Sequence, residues 1–473
     1  MTKDLTNGPP LRLILAFAAP LALGSLFQQF YSLADTVIVG RFLGVGALAA
    51  VGSTGSLHYM VLGFVMGLCN GFAIPMARAF GAKDEAALRR AVAGSVWLCA
   101  GFGLALTVCT VALTRPILLL MQTPADILDG AAAYIGMMFA GIPAIFLYNM
   151  VSALMRALGD SKTPLYFLLL SSVLNIGLDL ALILLLDAGV FGAALATVVS
   201  QLVSGLLSLW VLVRRFKLCL PRRGEWAPAA RPALELCRAG VPMGLQCSIT
   251  AIGSVVLQGA VNGLGSVTVA AVTAASKASM LLSVPLESIG TAMATYAGQN
   301  LGALRLDRVR QGVRCSLAVG AAYSAASFAV FRLAGQWVLL LFMDAGETAV
   351  LAQAQLVLFW YSAFYLMLST LIVFRYTLQG LGCSALAMMA GAAEMAARAL
   401  VAFWLVPRFG ILGAAFSNPA AWAAACLYLA PVYFFELPRL QNRVNTEVLS
   451  RRSSMAAAAG PQAQKRPSRR TAG

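Results

Sequence analysis

Residues 21–40 read LALGSLFQQFYSLADTVIVG, an apolar run long enough to cross a bilayer, with a carboxylate, Asp35, inside it. A second stretch repeats the anomaly: residues 168–186, LLLSSVLNIGLDLALILLL, hold Asp179. A helix needs about 20 apolar residues to cross the hydrocarbon core. An acid at its centre costs about 2.5–3.5 kcal/mol on insertion scales, so it is rarely there without a task. In a membrane-spanning chain that task is usually the carriage of a proton or an ion.

The rest of the chain supports that setting. Of 473 residues, 60% are hydrophobic and 11% charged, and the mean hydropathy is +0.82. Soluble domains carry about 25% charged residues, so there is too little polar surface here to coat a water-soluble particle. Twelve apolar spans are predicted, at about 12–40, 48–79, 91–114, 131–155, 163–186, 190–213, 236–261, 267–299, 312–335, 350–376, 384–406 and 410–435. The first continues past Pro20 to about Gly40, too long for a cleaved signal peptide, and is read as retained.

The net charge of +16 follows topology. Basic residues crowd the connections between spans 2 and 3 (Arg78, Lys83, Arg89, Arg90), 6 and 7 (from Arg214 to Arg238) and 8 and 9 (Arg305, Arg308, Arg310, Arg314). The alternate connections hold little more than Arg41, Arg115, Arg332 and Arg408. This positive-inside pattern places both termini in the cytoplasm and removes the reason to expect nucleic-acid binding. The nine cysteines form no CxxC pair and read as buried packing residues. The polar residues from 436 to 473 are expected to be a disordered cytoplasmic tail.

The two halves repeat. GRFLGVGALAAVGSTGS (40–56) and IPMARAFGAKDEAALRRAV (74–92) recur as NGLGSVTVAAVTAASK (262–277) and ATYAGQNLGALRLDRVRQGV (294–313). Gly44 pairs with Gly265 and Gly81 with Gly302, an offset of 221, and Gly159 with Gly382, an offset of 223. The expected fold is an all-α integral membrane protein. Twelve transmembrane helices form two six-helix lobes related by pseudo-twofold symmetry, with a substrate path between them. The divisions are a cytoplasmic N-terminus (1–11), a first lobe (12–213), a cytoplasmic linker (214–235), a second lobe (236–435) and the tail (436–473).

Three polar stripes fall in the first lobe. Gln28, Tyr31 and Asp35 share one helix face, as do Ser171, Asn175 and Asp179, and Thr197, Gln201, Ser204 and Ser208. Carboxylate, amide and hydroxyl oxygens suit Na+. Two nearby carboxylates in low dielectric also bind a proton more readily. The alternative for Asn175 and Thr197 is polar bonding between helices.

FYSLADTVIVGRFLG with GALAAVG, then ALMRALGDSKTPL, NIGLD and AGQNLGA, at these spacings and duplicated, resemble the multidrug and toxic compound extrusion (MATE) family over about residues 12–435. The aspartate in span 1 resembles its DinF-like branch. The NorM-like branch implies acids in spans 7 and 10; here span 7 has only Glu235, at its entry, and span 10 has none. The resemblance implies two lobes in a V around a central cavity, alternating access, and export of amphipathic, often cationic compounds against Na+ or H+. It implies a first-lobe cation network of Asp35, Asn175, Asp179 and Thr197, with Tyr31 and Tyr134 as supporting hydroxyls and Gln28 and Gln201 beside them. It makes Pro20 a hinge, for which a static bend is the alternative.

In the second lobe, Glu394 and Arg398 are i, i+4 neighbours that can neutralise each other, and Lys277 is expected to meet Glu394 or Glu287. An ion pair and a substrate role both remain open for these four. Arg398 occupies the repeat position of Asn175, and Ala402 that of Asp179. His58, the only histidine, reads as a hydrogen-bonded helix residue. No catalytic constellation, phosphate loop, structural metal set or cofactor motif is recognised, so the chain is not read as an enzyme. It is read as a monomeric multi-pass exporter of the bacterial inner membrane, whose partners are small-molecule substrates and the bilayer and whose coupling ion is H+ or Na+. The other reading is a lipid-linked saccharide flippase of the same superfamily, which calls for more spans or a strongly basic cavity. Only Lys277 and Arg398 are read as basic residues in mid-membrane.

Overall fold

Each apolar stretch of the sequence becomes a helical crossing unit. The computed structural model describes residues 4–227, 229–343 and 346–458, and no strand occurs among them. In chain order the first three units are α1 (Pro10–Ser53), α2 (Gly55–Gly81) and α3 (Glu85–Leu120). Then α4 is a bent pair, Ala125–Ala140 and Ile142–Ala157, followed by α5 (Lys162–Leu185) and α6 (Gly189–Arg215). The second half repeats the plan with α7 (Ala230–Asn262), α8 (Ser266–Gly302) and α9 (Leu306–Leu339). Its bent pair α10 is Thr348–Ala363 and Tyr365–Gly380, and α11 (Ser384–Phe409) and α12 (Ser417–Ala458) complete it. Ten helices are long and apolar enough to span, and the two bent pairs bring the crossings to twelve.

The repeat is visible in the backbone. The bends in α4 and α10 are 47° and 48°. Their break points, Gly141 and Phe364, are 223 residues apart, the offset that also links Gly159 with Gly382. Pro143, in the first turn after Gly141, cannot donate to the preceding turn and ends it. The α10 break has no proline to explain it. Positive φ recurs in register at Gly44 and Gly265 (86° and 94°), Lys83 and Leu304 (57° and 60°), and Gly159 and Gly382 (85° each).

Two buried apolar cores correspond to the two lobes, but the chain exchanges ends between them. Leu5, Ile14, Phe17 and Ala18 belong to the second core, and Leu236 at the start of α7 belongs to the first. α1 and α7 therefore each begin packed against the opposite lobe. Glycines permit the crossing. A Cβ on Gly67 would lie 2.6 Å from the Gly244 Cα, and one on Gly240 would lie 2.5 Å from the Phe72 ring. Further along the same seam, Gly81 abuts the Gln299 backbone and its repeat partner Gly302 abuts that of Arg78. Gln299 also accepts from the Leu5 amide at 2.9 Å and donates to the Ala157 carbonyl at 2.8 Å. Both lobes are thus stitched together at the end of the bundle that carries the basic connections.

The linker is anchored there as well. Glu225 accepts from Arg89 Nε at 2.9 Å, and the Trp97 indole donates to the Trp226 carbonyl at 2.9 Å. The Arg89 guanidinium holds the Glu225 carboxyl below its ordinary range.

The expected disordered tail is also corrected. Helix α12 continues through Pro431 and Pro438 to Ala458. Leu437, Leu440, Val444 and Val448 recur at helical spacing; Leu437 and Val444 are buried in the second core, and Leu440 and Val448 pack against it. This stripe, sparse among charges, is why composition alone read as disorder. Residues 459–473 of that tail lie outside the described residues.

Candidate cation site

Asp35 and Asp179 come from helices distant in sequence and meet inside the first lobe. Each stands just before a π-helical turn, Val39–Leu43 in α1 and Ala181–Leu185 in α5. Wide turns of this kind relax the helical hydrogen-bond ladder and occur often at functional sites. The two carboxyl groups lie close enough to interact electrostatically. Asp179 is fully buried and Asp35 half-buried, on the wall of a cavity of about 380 Å³.

The stripes read from the sequence converge on this point. Asn175 is buried and donates to the Thr197 hydroxyl at 3.2 Å, and Thr197 in turn donates to the Ala193 carbonyl. Gln28, Tyr31, Tyr134, Thr197 and Gln201 line the cavity with Asp35. The expected residues are therefore brought together, with Asp179 and Asn175 behind the wall. Sequence reasoning missed further polar lining residues, among them Gln29, Ser32, Tyr59, Tyr148 and Asn149. Their side chains follow ordinary helical spacing and carry no distinguishing motif. His58 also lines the cavity, and its buried Nδ1 has no hydrogen-bond partner, unlike the bonded ring expected.

The chemistry of the cluster lies in what it lacks. Asp35 Oδ1, Asn175 Oδ1, both Asp179 carboxyl oxygens and Gln201 Oε1 are buried with no donor. A buried acceptor without a partner costs about 1–3 kcal/mol, more if charged. Two carboxylates this close in a low dielectric repel, and a proton or a small hard cation is the kind of group that would offset the repulsion. Carboxylate, amide and hydroxyl oxygens are the donors Na+ prefers. Among the described residues no three His, Cys, Asp or Glu side chains cluster, so a site for softer metals is not formed.

Pro20 is buried in α1, which runs through it as one helix, and it lines a second cavity of about 200 Å³ that reaches Glu287. In the second lobe Glu394 is buried and pairs with Arg375 as well as Arg398, the latter at 3.6 Å. Glu287 accepts from the Tyr376 hydroxyl at 2.8 Å. Lys277 is exposed and meets neither acid, which corrects the expected pairing. Arg375 is the partner overlooked: it sits at the end of a span, where a basic residue reads as part of a flanking connection.

A family model described as MatE matches residues 20–181 and 242–404, once in each lobe. The chain is similar to the probable multidrug resistance protein YoeA of Bacillus subtilis, 30% identical over 434 residues, covering 89% of this chain and 92% of that one. It is similar to the probable multidrug resistance protein YpnP of the same organism, 30% identical over 301 residues, covering 63% and 67%. Its fold superposes with a TM-score of 0.85 on a structure described as the outward-facing conformation of a multidrug resistance MATE family transporter of the MOP superfamily. That match covers 93% of this chain and 99% of the other, at 22% identity. With both lobes matched by the family model and one relative aligned over nearly its whole length, this twelve-helix, multi-pass membrane protein belongs to the MatE family of transporters.

Proposed function

We propose that the protein is an antiporter that exports amphipathic, often cationic xenobiotics across a bacterial inner membrane, driven by inward flow of H+ or Na+ through the first lobe. One observation carries the coupling part: two neighbouring carboxyl groups, with amide oxygens beside them, leave five buried oxygens without a donor at the edge of a cavity. A cation entering satisfies them, and its departure restores the repulsion. That is a differential interaction able to bias two conformations. The names of the relatives support the export of drugs. In this reading both termini and the basic linker face the cytoplasm, Pro20 lets α1 bend as the site changes its charge, and a single chain suffices. The protein reconstituted in vesicles loaded with a cationic dye tests it. Efflux should follow an imposed proton or sodium gradient and stop when that gradient is dissipated. Dye movement indifferent to both gradients would exclude coupling.

A further inference from the structure

We infer that the second lobe holds an anion-binding counterpart of the cation site, centred on Arg398, which receives a carboxylate of an exported molecule. This rests on the export reading above.

The repeat locates it. Arg398 stands where the first lobe has Asn175, at the 223 offset, and Asn418 stands where it has Thr197, at the 221 offset. The contact itself recurs: Asn175 Nδ2 meets the Thr197 hydroxyl at 3.2 Å, and Arg398 Nη2 meets Asn418 Oδ1 at 3.5 Å. The position of Asp179 is Ala402. One architecture is therefore used twice with the sign of charge inverted.

Charge and hydrogen bonding are both left incomplete at this cluster. The buried Glu394 carboxylate is shared by Arg375 and Arg398, one negative group between two positive ones. Glu287, exposed and bonded to Tyr376, and Lys277, exposed and paired with neither acid, stand outside this trio, which itself carries a single positive excess. Arg398 is 6% exposed, and its Nη1 and the Arg375 Nε are buried without an acceptor. An unmatched buried guanidinium is costly, and its planar fork fits a carboxylate. One surplus charge matches a monoanion rather than a doubly charged phosphate. The site is not remote from the first. Tyr59 lines the first-lobe cavity and lies within electrostatic reach of both Arg398 and Glu287. A molecule with a cationic end and a carboxylate end meets both polarities in the space between the lobes.

The test compares a xanthene dye bearing a free benzoate with its methyl ester, by fluorescence anisotropy on the purified full chain. Arg398→Gln should weaken the free-acid dye at least about tenfold, as for loss of a charge-assisted hydrogen bond, and leave the ester nearly unchanged. Arg398→Lys should retain most of the free-acid binding. Glu394→Gln, which removes the competing carboxylate, should tighten the free-acid dye selectively, an effect that misfolding cannot produce. Equal losses of both dyes in Arg398→Gln, with no selective gain in Glu394→Gln, would make the cluster a structural ion pair and overturn the inference. Selective displacement of the free-acid dye by chloride at constant ionic strength would make a halide the occupant and overturn it too. Binding needs no gradient, so the two readings fail separately. An active exporter of the ester dye whose free-acid binding ignores Arg398 refutes only this inference. A protein that binds the free acid through Arg398 and moves neither dye refutes only export.

Discussion

Gly67→Ala probes the seam on which the two lobes close. A Cβ at this position would stand 2.6 Å from both the Gly244 Cα and the Met243 carbonyl oxygen. Carbon atoms in ordinary contact sit about 3.5–4.0 Å apart, so the backbones of α2 and α7 must separate by about 1 Å. Neither neighbour is a flexible side-chain tip, and the seam continues through Gly71 and Gly240, so relief cannot be local. Overpacking of this kind costs about 1–3 kcal/mol. Gly101→Ala in α3 is the control, because nothing lies within 4 Å of its Cβ. There the helix gains up to about 1 kcal/mol from propensity alone. Thermal unfolding in detergent, followed by intrinsic fluorescence, should show a clear fall in Tm for Gly67→Ala and none for Gly101→Ala. Equal Tm values for the two variants would refute the account of the seam.

Three further outcomes are expected. Glu225→Gln should release the linker and speed tryptic cleavage at Arg222 and Arg223. Because Arg89 depresses the Glu225 carboxyl, its contribution is complete above the ordinary carboxyl value near 4.5 and is lost as pH falls below it. Linker protection in the wild type should therefore persist at neutral pH and fail in acid, while Glu225→Gln should show no such dependence. Val444→Asp puts a charge into the buried stripe of the α12 extension and should cost helix content by circular dichroism; an unchanged spectrum would mean that the extension does not depend on that packing. Pro20→Ala should slow dye efflux with normal expression, and an unaltered rate would leave Pro20 a static bend.

Much of the architecture was legible because membrane helices advertise themselves. Length and apolarity gave twelve spans, and matched glycines gave the repeat, since Gly44 with Gly265 and Gly159 with Gly382 hold the positive φ that only glycine adopts freely. Asp35 and Asp179 stood out by the cost of burying them, and helical spacing placed Asn175 and Thr197 on faces that meet. Other features need three dimensions. The exchange of helix ends between lobes depends on where Leu5 and Phe17 pack, and one-dimensional apolarity is blind to it. The π-helical turns after each acid have no composition signal. Arg375 was hidden by its place at a span end, and the α12 extension by the charges between its four apolar contacts.

The most direct test of the coupling site compares three charge-removing variants under one gradient. Asp35→Asn and Asp179→Asn keep size and much of the hydrogen bonding but can neither release a proton nor hold a full negative charge. Glu394→Gln makes the same change in the other lobe. Gradient-driven dye efflux from vesicles should vanish in both aspartate variants, while dye binding survives, and should continue in Glu394→Gln. Wild-type rates in Asp35→Asn and Asp179→Asn, with Glu394→Gln inactive, would place the coupling site in the second lobe and contradict the account.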